Sequence, residues 1–499
     1  MNKKFTVALA ASALLFSGVL ASNVAAQNVE AKSFSKAVTK IAGNGNYDIY
    51  RSVSSSGPSS KIGSTADFKY GQIQSKRYVS TKKGNFWDIY VNGRHVGWVS
   101  QNFFARNEIS VAKEVTVQSN SASSFSTRDA INYVTDSQGT AINPSKVQVS
   151  QAGVSTKSAT VNYSYGKAKA SVKVDVVDAP EKGASNVDPK TGFKDTTTWT
   201  GSSKSSSKNW NAAHHFTSET SGNTYSSNGL TLRTRLFQPR FLSLGYGQAG
   251  DAMGQVGVIP EGITVNNGQF VTSLYTSSSS QYGHLAMYNL NAIRSKTAAQ
   301  NLTTMSWSAF KSYSRNIKVS PYIKLGHGQS LGSSSSYIYV MANDNNYTNG
   351  PKSEEILRIR KSDMKIDKIW TFSIASNRYI HNATFVGDGT MYALFRNGGY
   401  NKYEYWKLDL QGNGAWKATQ VGATKGRFIT NSPVQGFAYG NGSFYIGFND
   451  YIFKVSENGT AQKSYHFNTR RELEGLSVSG STLYVQLAQR AELLSGQAK

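Results

Sequence analysis

The sequence predicts an all-β protein ending in a β-propeller, and three observations predict it. The 499 residues include 45 Gly and 28 Tyr, with abundant Ser, Thr and Asn, a mixture that favours strands and tight turns over helices. Short apolar–polar alternations recur, as at Val161, Tyr163 and Tyr165 and then Ala170, Val172, Val174 and Val176. From about residue 230 one pattern repeats: Glu261-Gly262-Ile263-Thr264-Val265, Gln435-Gly436-Phe437-Ala438-Tyr439 and Glu474-Gly475-Leu476-Ser477-Val478.

Composition sets outer limits. At roughly 100–200 residues per domain the length predicts two to four domains. Cysteine is absent, which excludes disulfide scaffolds, thiolate metal sites and cysteine nucleophiles. Lys and Arg number 54 against 29 Asp and Glu, a formal charge of +25. Outside a cell, that charge suits attraction to anionic wall polymers, damped by salt over a Debye length of about 8–10 Å. Plain colloidal solubility is the other use of such charge. Nucleic acid is not expected as a partner, because no recognition motif accompanies the charge.

Residues 1–26 have the form of a secretory signal peptide: Lys3 and Lys4, an apolar run from Phe5 to Leu20, and Val24-Ala25-Ala26 at the cleavage site. The mature form is then expected to be secreted, without a membrane span, held on the wall non-covalently and monomeric.

Residues 44–107 are expected to form the first compact unit. Asn92-Gly93 between Tyr90-Val91 and His95-Val96-Gly97-Trp98-Val99 is a hairpin signal, since both turn residues tolerate positive φ. Trp98 suits the core under that hairpin. Lys76, Arg77, Lys82, Lys83, Tyr90 and Arg94 are the candidates for touching a wall ligand. The stretch Trp87-x-x-Tyr90-x-Asn92-Gly93-x-x-x-Gly97-Trp98-Val99 resembles the SH3-like GW modules of bacterial surface proteins. That resemblance implies binding to teichoic acid or peptidoglycan.

Residues 109–178 are expected to be a small β-sandwich, similar to bacterial Ig-like domains, whose usual role is that of a spacer. Residues 180–228 are a Ser-rich linker with little hydrophobic periodicity, so packing does not offset the cost of ordering them. Trp199 and Trp210 are its aromatic docking candidates, and His214-His215 lack partners at ligand spacing.

Residues 230–499 hold the repeat. Each copy continues with a Gly turn (Gly268, Gly442, Gly480) and a further apolar strand, and looser copies occupy residues 325–340 and 381–394. Four antiparallel strands per copy and about five copies predict a five-bladed propeller. The last copy is short, so the ring is expected to close by borrowing residues 230–237, which also removes an exposed edge strand.

Like-placed residues of a propeller approach a common axis. Glu261, Gln435 and Glu474, with Gln329 and His381, are therefore expected to ring one mouth of the channel. Such a ring suits a cation such as Ca²⁺, a sugar or an ammonium group, and equally suits capping of strand starts and bonding between blades. No cofactor is required. A glycan hydrolase needs only two carboxylates, which makes Glu261, Glu472 and Glu474 the catalytic candidates. No Gly-x-Ser-x-Gly, His-Glu-x-x-His or phosphate loop is present.

The stretch Gly283-His284-Leu285-Ala286-Met287-Tyr288-Asn289-Leu290-Asn291-Ala292-Ile293 resembles the helveticin J family of large, heat-labile bacteriocins of lactobacilli. The surroundings of Glu261, the Gln435-Gly436 copy and Glu472-Leu473-Glu474 are similar to segments of that family in the same order. The resemblance implies killing of related bacteria by attack on their envelope. The expected function is thus that of a secreted, wall-associated bacteriocin. A wall-associated or S-layer-associated adhesin for glycans or host matrix is the alternative, and a muralytic hydrolase the third reading.

Overall fold

The computed structural model describes residues 30–43, 45–65, 73–91, 93–119, 122, 125–178, 181–182, 203–206, 222–238, 259–275, 281–293, 315–342, 353–373, 378–397, 402–488 and 491–498. The predicted signal peptide, Asn92, Trp199, Trp210 and His214-His215 lie outside the described residues. Within them the fold is all-β, broken only by short 3₁₀ turns, and no helix is long and apolar enough to cross a membrane.

The front unit is a six-stranded antiparallel sheet. Its strands run in the order Lys32–Lys40, Ile73–Thr81, Gly84–Val91, Arg94–Ser100, Asp48–Tyr50 and Lys61–Ser64. The predicted hairpin is present: Val91 pairs with Arg94, and Gly93 takes φ 79°, as a two-residue turn demands. The sheet starts twelve residues earlier than the expected 44. The strand Lys32–Lys40 covers the edge of Ile73–Thr81, and Phe34 stacks on Trp87. Its polar-rich sequence, KSFSKAVTK, gave no strong strand signal.

Residues 109–178 pair into two small sheets, Ile109–Val111 with Ile131–Val134, and Gln148–Val149, Ala159–Tyr165, Ala168–Val177 and Val115–Gln118. This unit is not a free spacer. Val115 and Thr116 pair in parallel with Tyr322 and Ile323 of the propeller, so one sheet runs through both. Phe125 packs on Tyr282 in a shared core. At its other end, buried Lys40 donates to Gln138 O (2.8 Å) and Thr140 Oγ1 (2.9 Å), locking it to the front unit.

Five sheets follow. Blade I is Ile259–Asn266, Gln269–Tyr275 and Tyr282–Asn289, with Ile317–Val319 and Tyr322–Lys324 outermost. Blade II runs from Leu331–Ser333 to Ile366–Ser373, blade III from Arg378–Phe385 to Trp416–Thr424, and blade IV from Gly436–Gly440 to Ala461–His466. Blade V takes Leu473–Ser479, Thr482–Leu487 and Glu492–Gln497 from the chain end. It then borrows Leu230–Phe237 and Thr224–Ser227, so the predicted closing strand is in place. The innermost strands contact one another in sequence, and that of blade V meets that of blade I.

The apolar core lies in slabs between adjacent blades. Val271, Leu285, Ile338 and Leu357 fill the I–II joint, and Tyr339, Ile356, Ala383 and Trp406 the II–III joint. Leu394, Tyr405, Phe437 and Phe444 fill III–IV, and Tyr445, Leu476, Leu483 and Leu232 fill IV–V. Because both faces of each sheet are buried, the strands read as apolar runs rather than as clean alternation.

Three stretches of the expected linker are ordered by backbone pairing, which needs no apolar periodicity. Glu181–Lys182 adds to the edge of blade II, Lys204 bridges to Ile429, and Thr224–Ser227 extends blade V.

Candidate functional site

The repeated glutamates sit where the backbone leaves regular pairing. An extra residue bulges the inner strand between Pro260 and Ile263, between Ile380 and Asn382, and between Leu473 and Gly475. A bulge re-aims the side chain it carries. Here the residues concerned are Glu261, His381 and Glu474. Gln329, Glu472 and Gln435 come from the connections that enter blades II, V and IV on the same face.

The structure brings five of these six residues together and leaves His381 apart. Gln329 Nε2 donates to Gln435 Oε1 (2.7 Å), and Gln435 Nε2 donates to Glu472 Oε1 (3.0 Å). Glu261 and Glu474 hydrogen-bond to each other, and Glu472 stands close enough to repel both. His381 does not join them; it lines a cleft between blades III and IV. His327, unremarked in the sequence, brings Nε2 to 3.8 Å from Glu261 Oε2.

Burial raises the Glu261 carboxyl to about 8, with Glu472's charge adding and bonds from Glu474 and Gln329 opposing. Glu474 is also pushed well above the ordinary carboxylate range, first by burial and then by the charges of Glu261 and Glu472. Two neighbouring carboxyls that share a dry site hold protons at neutral pH, so they can donate hydrogen bonds as well as accept them. Among the described residues no three or more His, Asp or Glu form a metal-binding group.

A buried amide chain fixes this site from behind. Gln486 Nε2 donates to Glu261 O (2.7 Å) and Thr272 Oγ1 (2.9 Å), Gln238 Nε2 donates to Gln486 Oε1 (3.0 Å), and Tyr288 O–H donates to Gln238 Oε1 (2.9 Å). Nothing in the repeat pattern marks Gln238 or Gln486, because each meets its partners only after the ring closes.

In the front unit Lys76, Lys82, Lys83 and Arg94 are exposed, with Lys82-Lys83 at a hairpin tip, and Tyr90 is half-buried. Trp98 is buried in the core as expected. Arg77 has a second task, as its Nε donates to Asp88 Oδ2 (2.8 Å) while its guanidinium lies 5.2 Å from the Trp98 ring. Buried Asp88 also meets His95 Nε2 at 2.6 Å. Sequence reading missed this carboxylate hub because Asp88 sits inside an apolar strand with no spacing signal.

The fold therefore defines a closed five-bladed β-propeller carrying a cationic SH3-like module. Residues 30–105 match the GW (Gly-Tryp) dipeptide domain, a class of module that binds cell-wall components. No curated relative matches the chain. Among solved structures it is similar to a gluconolactonase from Xanthomonas campestris, at 10% identity and TM-score 0.30, over 56% of this chain and 97% of that one. It is similar also to the Cps50 (Swd1) β-propeller domain of Myceliophteria thermophila, at 6% identity and TM-score 0.25, over 48% of this chain and 96% of that one. The Nup133 β-propeller domain of Vanderwaltozyma polyspora follows at 11% identity and TM-score 0.20, over 34% of this chain and 54% of that one.

Proposed function

We propose that the protein is a secreted, wall-held antibacterial protein of the helveticin J type. In this reading residues 30–105 hold it on teichoic acid or peptidoglycan, and the propeller acts on the envelope of related Gram-positive bacteria through its carboxyl-lined face. The match to a wall-binding module carries the reading, and the exposed cations of that module support it. The pairing of residues 109–178 to both neighbours supports a fixed rather than a tethered presentation of the propeller. Muralytic hydrolysis, the third reading of the sequence, is favoured by one observation: a carboxyl raised to about 8 is protonated at neutral pH, the state a general acid needs.

Sedimentation with isolated walls and a viability assay on neighbouring strains test the proposal together. The protein should sediment, elute with rising salt, and be retained less after Lys76, Lys82, Lys83 and Arg94 are replaced by Ser. It should reduce viability, and Glu261→Gln with Glu474→Gln should abolish killing while sedimentation stays unchanged. Loss of retention on walls stripped of teichoic acid assigns that polymer, and equal retention assigns peptidoglycan. Binding without loss of viability would identify an adhesin instead, and release of reducing sugar from walls would identify a hydrolase.

A further inference from the structure

Two β-bulges in the front unit bring four polar side chains onto one face. Ser75 pairs with Ile89 and Arg77 with Asp88, so Lys76 is the extra residue of the strand Ile73–Thr81. Gly97 pairs with Ile89 and His95 with Tyr90, so Val96 is the extra residue of Arg94–Ser100. A bulge re-aims the side chains beside it. Here Arg77 and His95 reach the two oxygens of one carboxylate. Arg77 Nε donates to Asp88 Oδ2 at 2.8 Å, and His95 Nε2 meets Oδ1 at 2.6 Å. Tyr90 flanks the group, its ring centre 5.1 Å from that of His95.

Burial divides this group into an anchor and a surface. The Asp88 side chain is 1% exposed, while those of Arg77 and His95 are 48% and 50% exposed. A buried ionic tie is seldom more stable than apolar packing of the same volume. What Asp88 adds is geometry, a guanidinium and an imidazole fixed at one point of an open face. The outer edge of the guanidinium stays available, since among the described residues Arg77 Nη1 and Nη2 make no hydrogen bond.

Charge gives the arrangement a second property. Asp88 cancels the charge of Arg77, so the group is neutral while the His95 ring is neutral and net positive once that ring is protonated. With Nε2–H turned to the carboxylate, Nδ1 of the neutral ring is a bare acceptor, which an oxyanion avoids; the added proton makes it a donor. Arg94, on the same strand, is exposed and cationic throughout. Lys61 and Asp48, on the two strands beyond, pair with each other at 2.7 Å.

We infer that Asp88 is a positioning residue that holds Arg77 and His95 as a seat for one phosphodiester of an anionic wall polymer, and that protonation of His95 tightens the attachment. The inference rests on the wall-binding reading of residues 30–105 and adds its regulation. A phosphodiester suits the seat because its two free oxygens match the fork of a guanidinium. Histidine changes charge between about pH 5 and 8, so mild acid adds a contact that the exposed lysines cannot modulate. Lys40, buried in the joint with residues 109–178, also gains charge on acidification, and comparison with a His95 variant cancels it.

Sedimentation of the full chain with isolated walls at about pH 5.5 and about pH 8, the two sides of the histidine range, tests it. Wild type should bind about three- to fivefold more tightly in acid, the scale of one exposed charge pair. His95→Gln keeps a donor for Asp88 but takes no charge. It should melt like wild type and bind with less than about 1.5-fold difference between the two conditions. Asp88→Asn makes the module more positive, so long-range attraction alone would strengthen binding; loss of positioning predicts weaker binding and a flattened pH response. On walls stripped of teichoic acid the response of wild type should vanish.

The inference is overturned if wild type shows no pH response, if His95→Gln keeps the full response, or if folded Asp88→Asn binds as tightly as wild type. It is also overturned if the response survives on stripped walls, which would assign it to wall carboxylates. Should Asp88→Asn fail to fold, His95→Gln decides alone. Sedimentation without a pH response leaves the proposed wall attachment standing, whereas no sedimentation in either condition overturns both.

Discussion

The sealing of the last blade concentrates on Glu492, which is fully buried at the start of its strand. Its carboxylate pairs with Arg471 and accepts from Thr234 of the borrowed strand and from Asn223 Nδ2 at 3.0 and 3.1 Å. Replacing Glu492 with Ala takes the carboxylate from the Arg471 guanidinium, whose side chain is only 12% exposed and which keeps its bond from Nε to Ala488 O. It also removes the acceptor for two groups of the segment that closes the ring. Breaking one partner out of a buried pair costs about 3–5 kcal/mol. At about 2–4 °C per kcal/mol for a unit of this size, the propeller transition should fall by about 6–20 °C in calorimetry. Arg471→Ala on top of Glu492→Ala should be less costly than the sum of the two, since it removes the uncompensated charge. Ile62→Ala, at a position 45% exposed in the front unit, serves as the control and should change stability by less than about 0.5 kcal/mol. A Glu492→Ala protein that melts within about 1 kcal/mol of wild type would refute closure through this strand.

Gly262→Ala should cost about 1–3 kcal/mol, because its Cβ meets backbone and only movement of the Gln329 connection makes room. Thermal melts of that variant check the cost, and a change below about 0.5 kcal/mol would contradict the close approach. Stability should also depend on pH through the carboxyl pair. Glu261 and Glu474 bind protons more tightly folded than unfolded, so their contribution is full below about pH 4.5 and is lost as pH rises, for Glu261 through about 8. Lys40 and Lys361, lowered by burial to about 7 and about 8, act with the opposite sign, adding stability as pH rises above those values. The difference between wild type and Glu261→Gln/Glu474→Gln cancels the lysines. It should show wild type losing ground to the variant between pH 6 and 9, as followed by denaturant titration.

The ring was legible because three of the five blades solve the same packing problem with the same residue. Gly262, Gly436 and Gly475 recur since each faces the next blade's backbone, and that recurrence, with the looser copies between them, announces the repeat. The closing strand was legible by subtraction, as the last copy lacks strands. The convergence of Glu261, Gln329, Gln435 and Glu474 followed from their equal places in the repeat. His381 shares that place and its bulge, yet it faces a cleft lined by Tyr403, Arg427 and Val434, which nothing in the repeat pattern marks. The strand Lys32–Lys40 and the ordered linker segments were not legible, since they are held by main-chain pairing to edges that exist only in the folded molecule. Asp88, Glu492 and Gln486 were hidden for a related reason: single polar residues in apolar strands acquire meaning only from partners far away in the chain.

Infrared difference spectroscopy of wild type against Glu261→Gln/Glu474→Gln, recorded from pH 6 to 9, reads the state of the converging carboxyls directly. A closed ring that drives Glu261 and Glu474 together in a dry site predicts a protonated carboxylic-acid carbonyl band at pH 7 that is absent from the variant, with the Glu261 part fading through about pH 8. A spectrum at pH 7 with no carboxylic-acid band, in which the variant instead loses carboxylate absorption, would mean that the inner strands do not bring these residues to one dry place.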